Sequence, residues 1–323
     1  MSDQKLVRER NILVVSHTGR TEALNATIEA VVQLHRAGLV PVMTEDQVIA
    51  LKEYVKVAEA ALKLEEVAAE IAAVKIFEVE VAQIDLELVM VLGGDGTILK
   101  AAEVVRETAT PLLGINLGHV GFLAESERDG LNEAVSRVVA KDYLVKERLT
   151  LDVRVLVDGQ ETYRTWALNE ATIEKNSRER MLEVVVEIDQ RPLSSFGCDG
   201  VVMATPTGST AYSFSAGGPV VWPSVEALLL VPLSAHALFA RPLVISPRSL
   251  LAVEVLQRSS GSGVLWCDGR RTHELPVGAR VEVKRSELSV RLARLRQGPF
   301  TDRLVRKFAL PVTGWRGPEQ DSN

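Results

Sequence analysis

The chain has 323 residues, 46% of them hydrophobic and 25% charged, enough for two domains with substantial cores. Acidic residues outnumber basic ones by 43 to 37, a net charge of -6, which argues against a nucleic-acid binder with its basic face. That balance still leaves room for one phosphate site built from backbone amides, which carry no formal charge. The two cysteines, Cys198 and Cys267, are too few for an extracellular disulfide framework and lack zinc-site spacing, so reduced thiols are expected. The amino terminus is charged (Lys5, Arg8, Glu9, Arg10) and unlike a signal peptide, and no apolar run reaches membrane-spanning length. A cytoplasmic protein is expected.

In chain order, Ile12 to Val15 reads as a strand, Ala23 to Ala37 as a helix closed by Gly38, and Leu39 to Met43 as a second strand. Pro41 cannot donate to a ladder, which suits an edge position. Val55 to Val74, rich in Ala, Leu, Glu and Lys, is a helix by propensity, with Glu65, Glu66 and Glu70 as a solvated face. Leu86 to Leu92 is a buried-type strand, followed by Gly93-Gly94-Asp95-Gly96 and a helix from about Ile98 to Glu107; Pro111 to Asn116 is another buried strand. This rhythm predicts a parallel sheet covered by helices.

Near Leu149 the pattern changes. Leu151, Val153 and Val155 alternate with Asp152, Arg154 and Leu156, and Asp158-Gly159 offers a hairpin turn. Tyr163 to Glu174, Met181 to Ile188, Leu250 to Leu256, Arg280 to Lys284 and Leu288 to Leu295 are further strands of a β-rich domain. After the Gly298-Pro299 break, Phe300 to Ala309 reads as a helix carrying Arg303, Arg306 and Lys307. The expected fold is an α/β amino-terminal domain with a parallel sheet plus a β-rich carboxy-terminal domain. The first spans 1–148, with 298–312 packing back onto it; the second spans 149–297; 313–323 is a flexible tail.

Two stretches carry chemistry. Gly93-Gly94-Asp95-Gly96-Thr97 lies between an apolar strand and a helix, where open α/β sheets bind ligands. Its glycines let the backbone approach a polyphosphate, and the helix terminus supplies amides and positive potential. An anionic Asp95 in such a turn makes sense if it handles a metal ion or takes a proton from an attacking hydroxyl; the plain alternative is a helix cap. No Gly-x4-Gly-Lys-Ser/Thr occurs, and Leu99 stands where the third glycine of a dinucleotide fingerprint would fall, so neither a P-loop enzyme nor a dehydrogenase fits. The second stretch, Asp199 to Pro219, is dense in Gly, Ser and Thr and reads as a loop offering many short donors. Tyr212 adds a ring able to stack on a base or nicotinamide. Its apolar flanks, Val201-Val202-Met203 and Val220-Val221-Trp222, are unlike those of a plain surface loop.

Gly93 to Thr97, Asn116 to Glu125 (Asn-Leu-Gly-His-Val-Gly-Phe-Leu-Ala-Glu), Asn169-Glu170 and Asp199 to Pro219 together resemble the bacterial NAD kinase family, in order and spacing over nearly the whole chain. The glycine turn alone is shared with lipid kinases and phosphofructokinases; the Thr-Pro-Thr-Gly-Ser-Thr-Ala-Tyr-Ser run is far more specific. The resemblance implies an active site in the interdomain cleft and transfer of the terminal phosphoryl group of ATP, or of polyphosphate, to the adenosine 2'-hydroxyl of NAD, giving NADP. It also implies a divalent metal, Mg2+, whose protein ligands it does not identify, and a homodimer or homotetramer.

Carried onto matching positions, the resemblance makes Asp95 the general base. Gly93, Gly94, Gly96 and Thr97 become phosphate-binding, and Gly96 also lies beside the substrate. Lys100 falls where members often carry Arg, which keeps the charge and loses the bidentate fork. Asn169 and Glu170 match the pair that grips the adenosine ribose, and Asp199 an acidic position near the nicotinamide end. Thr210, Ala211, Tyr212, Ser213, Phe214 and Ser215 match the dinucleotide-binding loop, and Arg180 a basic contact. His119 and His236 read as structural, and Asp268-Gly269 as a hairpin turn. A diacylglycerol-type lipid kinase and a non-catalytic nucleotide sensor are the rivals. The polar second domain disfavours the first and Asp95 the second.

Overall fold

A computed structural model describes residues 9–62, 65–117, 121–124, 126–127, 130–178, 180–296 and 298–312. His119, Glu125 and the tail 313–323 lie outside the described residues. The chain divides into two compact units: residues up to Glu147 joined by those from Arg291 onward, and Arg148–Val290.

The first unit opens with β1 (Asn11–Ser16), α1 (Thr21–Arg36) and β2 (Val40–Met43). The run expected as one helix over 55–74 is two, α2 (Glu45–Leu62) and α3 (Glu65–Ala72). The α2 start lies earlier than composition suggests. The Thr44 carbonyl accepts the Val48 N–H at 3.0 Å, and Glu45 and Asp46 set negative charge at the positive end of the helix. Glu70 is not merely solvated, since it pairs with His35 at 2.7 Å. Then come β3 (Lys75–Ile76), β4 (Leu86–Leu92), α4 (Asp95–Val104), β5 (Leu112–Asn116), β6 (Ser126–Glu127), α5 (Leu131–Val139) and β7 (Leu144–Arg148). The helix expected from about Ile98 to Glu107 starts three residues earlier, so Asp95 is its first residue.

The second unit contains β8 (Leu151–Val157), β9 (Gln160–Ala167), β10 (Glu170–Lys175), β11 (Leu182–Ile188), β12 (Arg191–Cys198) and β13 (Gly200–Ala204). After the one-turn helix α6 (Tyr212–Ser215) follow β14 (Leu228–Leu233), β15 (Leu243–Ile245), β16 (Leu251–Val255), β17 (Gly263–Cys267), β18 (Arg271–Leu275) and β19 (Arg280–Arg285). They form two six-stranded sheets, β15-β14-β13-β10-β17-β18 and β12-β11-β16-β19-β8-β9. Leu151, Val153 and Val155 of one sheet share a core with Ile173, Met203 and Leu265 of the other, so the inward half of each alternating strand closes a sandwich. Asp158 and Gly159, both at positive φ, make the expected β8–β9 hairpin. The strand expected over Tyr163 to Glu174 is interrupted. β9 and β10 belong to different sheets, and the chain crosses between them at Leu168-Asn169.

The chain then returns. β20 (Val290–Arg294) pairs in parallel with β5 through Leu292 and Leu112, placing it in the first unit's sheet, and α7 (Phe300–Phe308) follows. That sheet runs β3-β2-β1-β4-β5-β20-β7, with β6 beside β5. β2 is therefore not an edge strand. Its neighbour β3 pairs only with Val42 and Met43 and stops short of Pro41, which owes it no hydrogen bond. The chain steps outward from β1 to β2 and β3, then restarts at β4 on the other side. The carboxyl end of β4 thus lies at the switch point where such sheets bind ligands. α1, α2 and α5 share a core with β1, β4 and β5, while α4 lies against β4 and β5, where Gly114 leaves room for Ile98. No helix among the described residues is long and apolar enough to cross a membrane.

Candidate active site

The switch point carries the glycine turn. β4 is almost wholly buried and delivers Gly93, whose N–H donates to the Ile115 carbonyl at 2.9 Å. A Cβ at Gly93 would lie 2.9 Å from Thr97 Cβ, so a side chain there would displace Thr97. Gly94 and Gly96 differ: nothing lies within 4 Å of the position a Cβ would take, so the space before the helix terminus stays open. Neither is at positive φ; what they supply is clearance for a ligand. Thr97 is half-buried, and Gly96 and Lys100 are exposed.

Gly94 occupies the N-cap position, and no side chain caps the helix there. Asp95 instead reaches across to the 121–124 loop. Its Oδ2 accepts the Phe122 N–H and its Oδ1 the Leu123 N–H, each at 3.1 Å. Gly121 makes this possible, because a Cβ at that position would overlap Asp95 Oδ1 and lie 2.9 Å from Cγ. The carboxylate is thus pinned by two amides at the mouth of the turn, and the capping alternative fails.

Two arginines that no local motif signalled attend it. Arg294, at the end of β20, is only 8% exposed. Burial, reinforced by Arg303, pulls its guanidinium down to about 9, while Asp95 pulls the other way; it remains cationic at neutral pH. Arg303 on α7 is lowered by burial and by Arg306, again opposed by Asp95. Its Nη1 donates to the carbonyls of Phe122 at 2.9 Å and Ala124 at 3.2 Å.

In the second unit, Asn169 and Glu170 are buried at the corner where the chain changes sheets. Asp268 holds that corner. Its Oδ1 accepts the N–H of Asn169 at 2.7 Å and of Glu170 at 3.3 Å, and its Oδ2 that of Leu168 at 2.9 Å. Arg271 pairs with Oδ2 at 2.7 Å while lying 4.5 Å from the centre of the Trp166 ring. Asp268 and Gly269 do form the expected β17–β18 turn, both at positive φ, but the Asp268 side chain has this further task. Burial raises its carboxyl above the usual range, and the three amides and Arg271 draw it back. Since every partner is a donor, the arrangement suits the carboxylate. Glu170 is pushed up to about 8, first by burial and then by the Asp268 charge, with the Tyr212 amide opposing. Its Oε2 is buried and has no hydrogen-bond partner among the described residues.

The Thr205–Ser215 stretch packs onto the same corner. Thr205 N–H donates to the Asn169 carbonyl at 2.9 Å and its hydroxyl to the Leu168 carbonyl at 2.6 Å. A Cβ at Gly208 would overlap the Asn169 carbonyl, which explains the glycine. Three of the loop's hydroxyls, those of Thr205, Ser209 and Thr210, are used internally. Ser209 Oγ donates to the Pro206 carbonyl and accepts the Val221 N–H, and Thr210 Oγ1 donates to the Thr207 carbonyl. Ser213 Oγ is buried without a partner among the described residues, and Ala211 is half-buried. Tyr212, Phe214 and Ser215 are the exposed members, the two rings each 41% exposed. Asp199 is held below the usual carboxylate range by Lys175, 2.5 Å away, and by Ser234. Arg180 is exposed and donates to the Ser260 carbonyl at 2.5 Å; His236 is also exposed, its N–H on the Gly197 carbonyl.

A pinned carboxylate at an open glycine turn, attended by the buried Arg294 and the half-buried Arg303, defines a phosphotransferase-type site. Comparison with known proteins gives its identity. The ATP-NAD kinase N-terminal domain matches residues 12–143, and the ATP-NAD kinase C-terminal domain matches residues 168–295. An NAD kinase of Leifsonia xyli subsp. xyli is 63% identical over 314 residues, spanning 97% of this chain and 99% of that one. An NAD kinase of Thermobifida fusca is 56% identical over 320 residues, spanning 97% and 94%. The crystal structure of yeast NADH kinase complexed with NADH shares the fold, with a TM-score of 0.79 at 22% identity over 98% of this chain and 91% of that one. The chain belongs to the ATP-NAD kinase family and is an enzyme that phosphorylates NAD with ATP.

Proposed function

We propose that the phosphoryl group passes directly from ATP to the adenosine 2'-hydroxyl of NAD, with Asp95 orienting that hydroxyl and accepting its proton. The observation that carries this reading is the Asp95 carboxylate itself, fixed by the Phe122 and Leu123 amides beside the open Gly94 and Gly96 positions. Gly93 to Thr97 and the α4 terminus receive the donor phosphates, with Lys100 nearby on the same helix. In the second unit, Asn169 and Glu170 take the adenosine ribose; the unpartnered buried Glu170 Oε2 is the kind of atom that a ribose hydroxyl satisfies. Tyr212, Phe214 and Ser215 lie along the dinucleotide, with Asp199 toward its nicotinamide end and Arg180 as an outlying basic contact. Positioning and charge stabilisation then supply most of the catalysis.

Among the described residues, no group of three or more His, Cys, Asp or Glu side chains is arranged to hold a metal ion. Mg2+ would be carried in on the donor phosphates, with Asp95 as the carboxylate at the turn. When bound, the ion would neutralise charge on the transferring group. Polyphosphate would suit the same amide-lined turn. A homodimer or homotetramer is the proposed working assembly, testable by sedimentation. Asp95→Asn tests the central role. kcat should fall about 10²- to 10⁴-fold with KM for NAD little changed, and a variant retaining more than about a tenth of wild-type kcat would remove Asp95 from the chemistry.

A further inference from the structure

The 121–124 loop is clasped from two sides by groups of opposite charge. Asp95 accepts the N–H groups of Phe122 and Leu123, while Arg303 donates to the carbonyls of Phe122 and Ala124. The Phe122 carbonyl and the Leu123 N–H belong to one trans peptide plane and point in opposite directions. A single peptide unit therefore links the guanidinium to the carboxylate, and polarising its carbonyl strengthens its N–H as a donor. Phe122 also packs against both ends of α7, its ring 6.1 Å from Phe300 and 5.8 Å from Phe308, so the helix that carries Arg303 is seated on the same loop. Arg303 is separated from Phe122 by 181 residues, so this contact ties the carboxy-terminal helix to the loop that holds Asp95.

We propose that Arg303 is a positioning residue for Asp95, setting through the Phe122–Leu123 peptide where the carboxylate meets the acceptor hydroxyl. The inference rests on Asp95 being the base. Arg303 touches neither substrate in this account, so its loss changes the rate of transfer rather than the grip on NAD or ATP.

The test compares Arg303→Met, Arg303→Lys and Leu304→Ala in the full chain, measuring melting temperature and steady-state kinetics for both substrates. Leu304 is buried on the same helix and serves as the purely structural control. Arg303→Met should lower kcat about 10- to 100-fold with both KM values within about three-fold of wild type. Arg303→Lys, able to reach one carbonyl, should recover part of the rate. Leu304→Ala should lower the melting temperature yet leave kcat unchanged. In the double variant Asp95→Asn/Arg303→Met, kcat should fall no further than in Asp95→Asn alone, because both act through one carboxylate. Full multiplication of the two losses would overturn the proposal, as would an Arg303→Met enzyme with wild-type kcat or a Leu304→Ala enzyme that loses as much. If Arg303→Met does not fold, Arg303→Lys against Leu304→Ala decides on the same kcat criterion. A nearly wild-type Asp95→Asn would instead sink the assignment of the base, a result separable from all of these.

Discussion

Asp268→Asn is an isosteric change with an effect that can be worked from geometry. Asp268 Oδ1 serves Asn169 and Glu170, and Oδ2 serves Leu168 and Arg271. Whichever way the asparagine amide is turned, its NH2 faces two donors that had a carboxylate oxygen before, and a buried guanidinium loses its counter-charge. Removing one partner of a buried pair costs about 3–5 kcal/mol. At about 2–4 °C per kcal/mol for a unit of this size, the melting temperature should drop roughly 10 °C. In the fraction that stays folded, Asn169 and Glu170 lose their anchor, so KM for NAD should rise at least about ten-fold while KM for ATP moves little. Thermal melts followed by circular dichroism, with initial rates below the transition, read both effects. A melting temperature within about 2 °C of wild type, together with an unchanged KM for NAD, would show that Asp268 is only a turn residue.

Gly121→Ala should drive the Asp95 carboxylate off the Phe122 and Leu123 amides, lowering kcat about 10- to 100-fold in a protein that still folds; steady-state rates and a melt check this. Glu170→Ala should raise KM for NAD about ten- to a hundred-fold and KM for ATP far less, and equal effects would point to a folding defect. Glu170 also makes a pH prediction. With its folded value near 8 and its unfolded value near 4.5, the folded, ligand-free chain retains a proton that the unfolded chain gives up between those values. Its contribution to stability is therefore full below about pH 4.5 and is lost as pH rises through about 8. Glu170→Gln should remove that loss, so its advantage over wild type in NAD-free melts grows from near nothing at about pH 4.5 to a few kcal/mol above about pH 8.

The sheets were legible because alternation and apolar runs are local signals. β4 and the β8–β9 hairpin sit where the sequence puts them. Membership of a sheet is not local. Nothing in Val290 to Arg294 tells that the strand rejoins the first unit, and nothing in Tyr163 to Glu174 marks the crossing between sheets except the polar Asn169-Glu170 at the corner. Propensity runs unbroken through the Ala-rich stretch and so conceals the division between α2 and α3. At the site, Asp95, Asn169 and Glu170 announce themselves as charged or polar residues in apolar or glycine-rich surroundings. Asp268 and Arg303 do not, because their partners lie 99 and 181 residues away and their own surroundings read as a turn and a basic helix. The hydroxyl-rich loop misled in another way. Composition counts donors but does not show that Ser209 and Thr210 satisfy the loop's own carbonyls and Thr205 that of Leu168.

The most direct test of transfer to the 2'-hydroxyl uses an NAD analogue lacking that oxygen, offered with Mg2+ and ATP labelled at the terminal phosphate. The analogue should compete with NAD, with affinity reduced by about 1–3 kcal/mol for the lost contact, and should acquire no label, while NAD itself is converted to labelled NADP. Label appearing on the analogue would place the acceptor elsewhere on the dinucleotide and contradict the account.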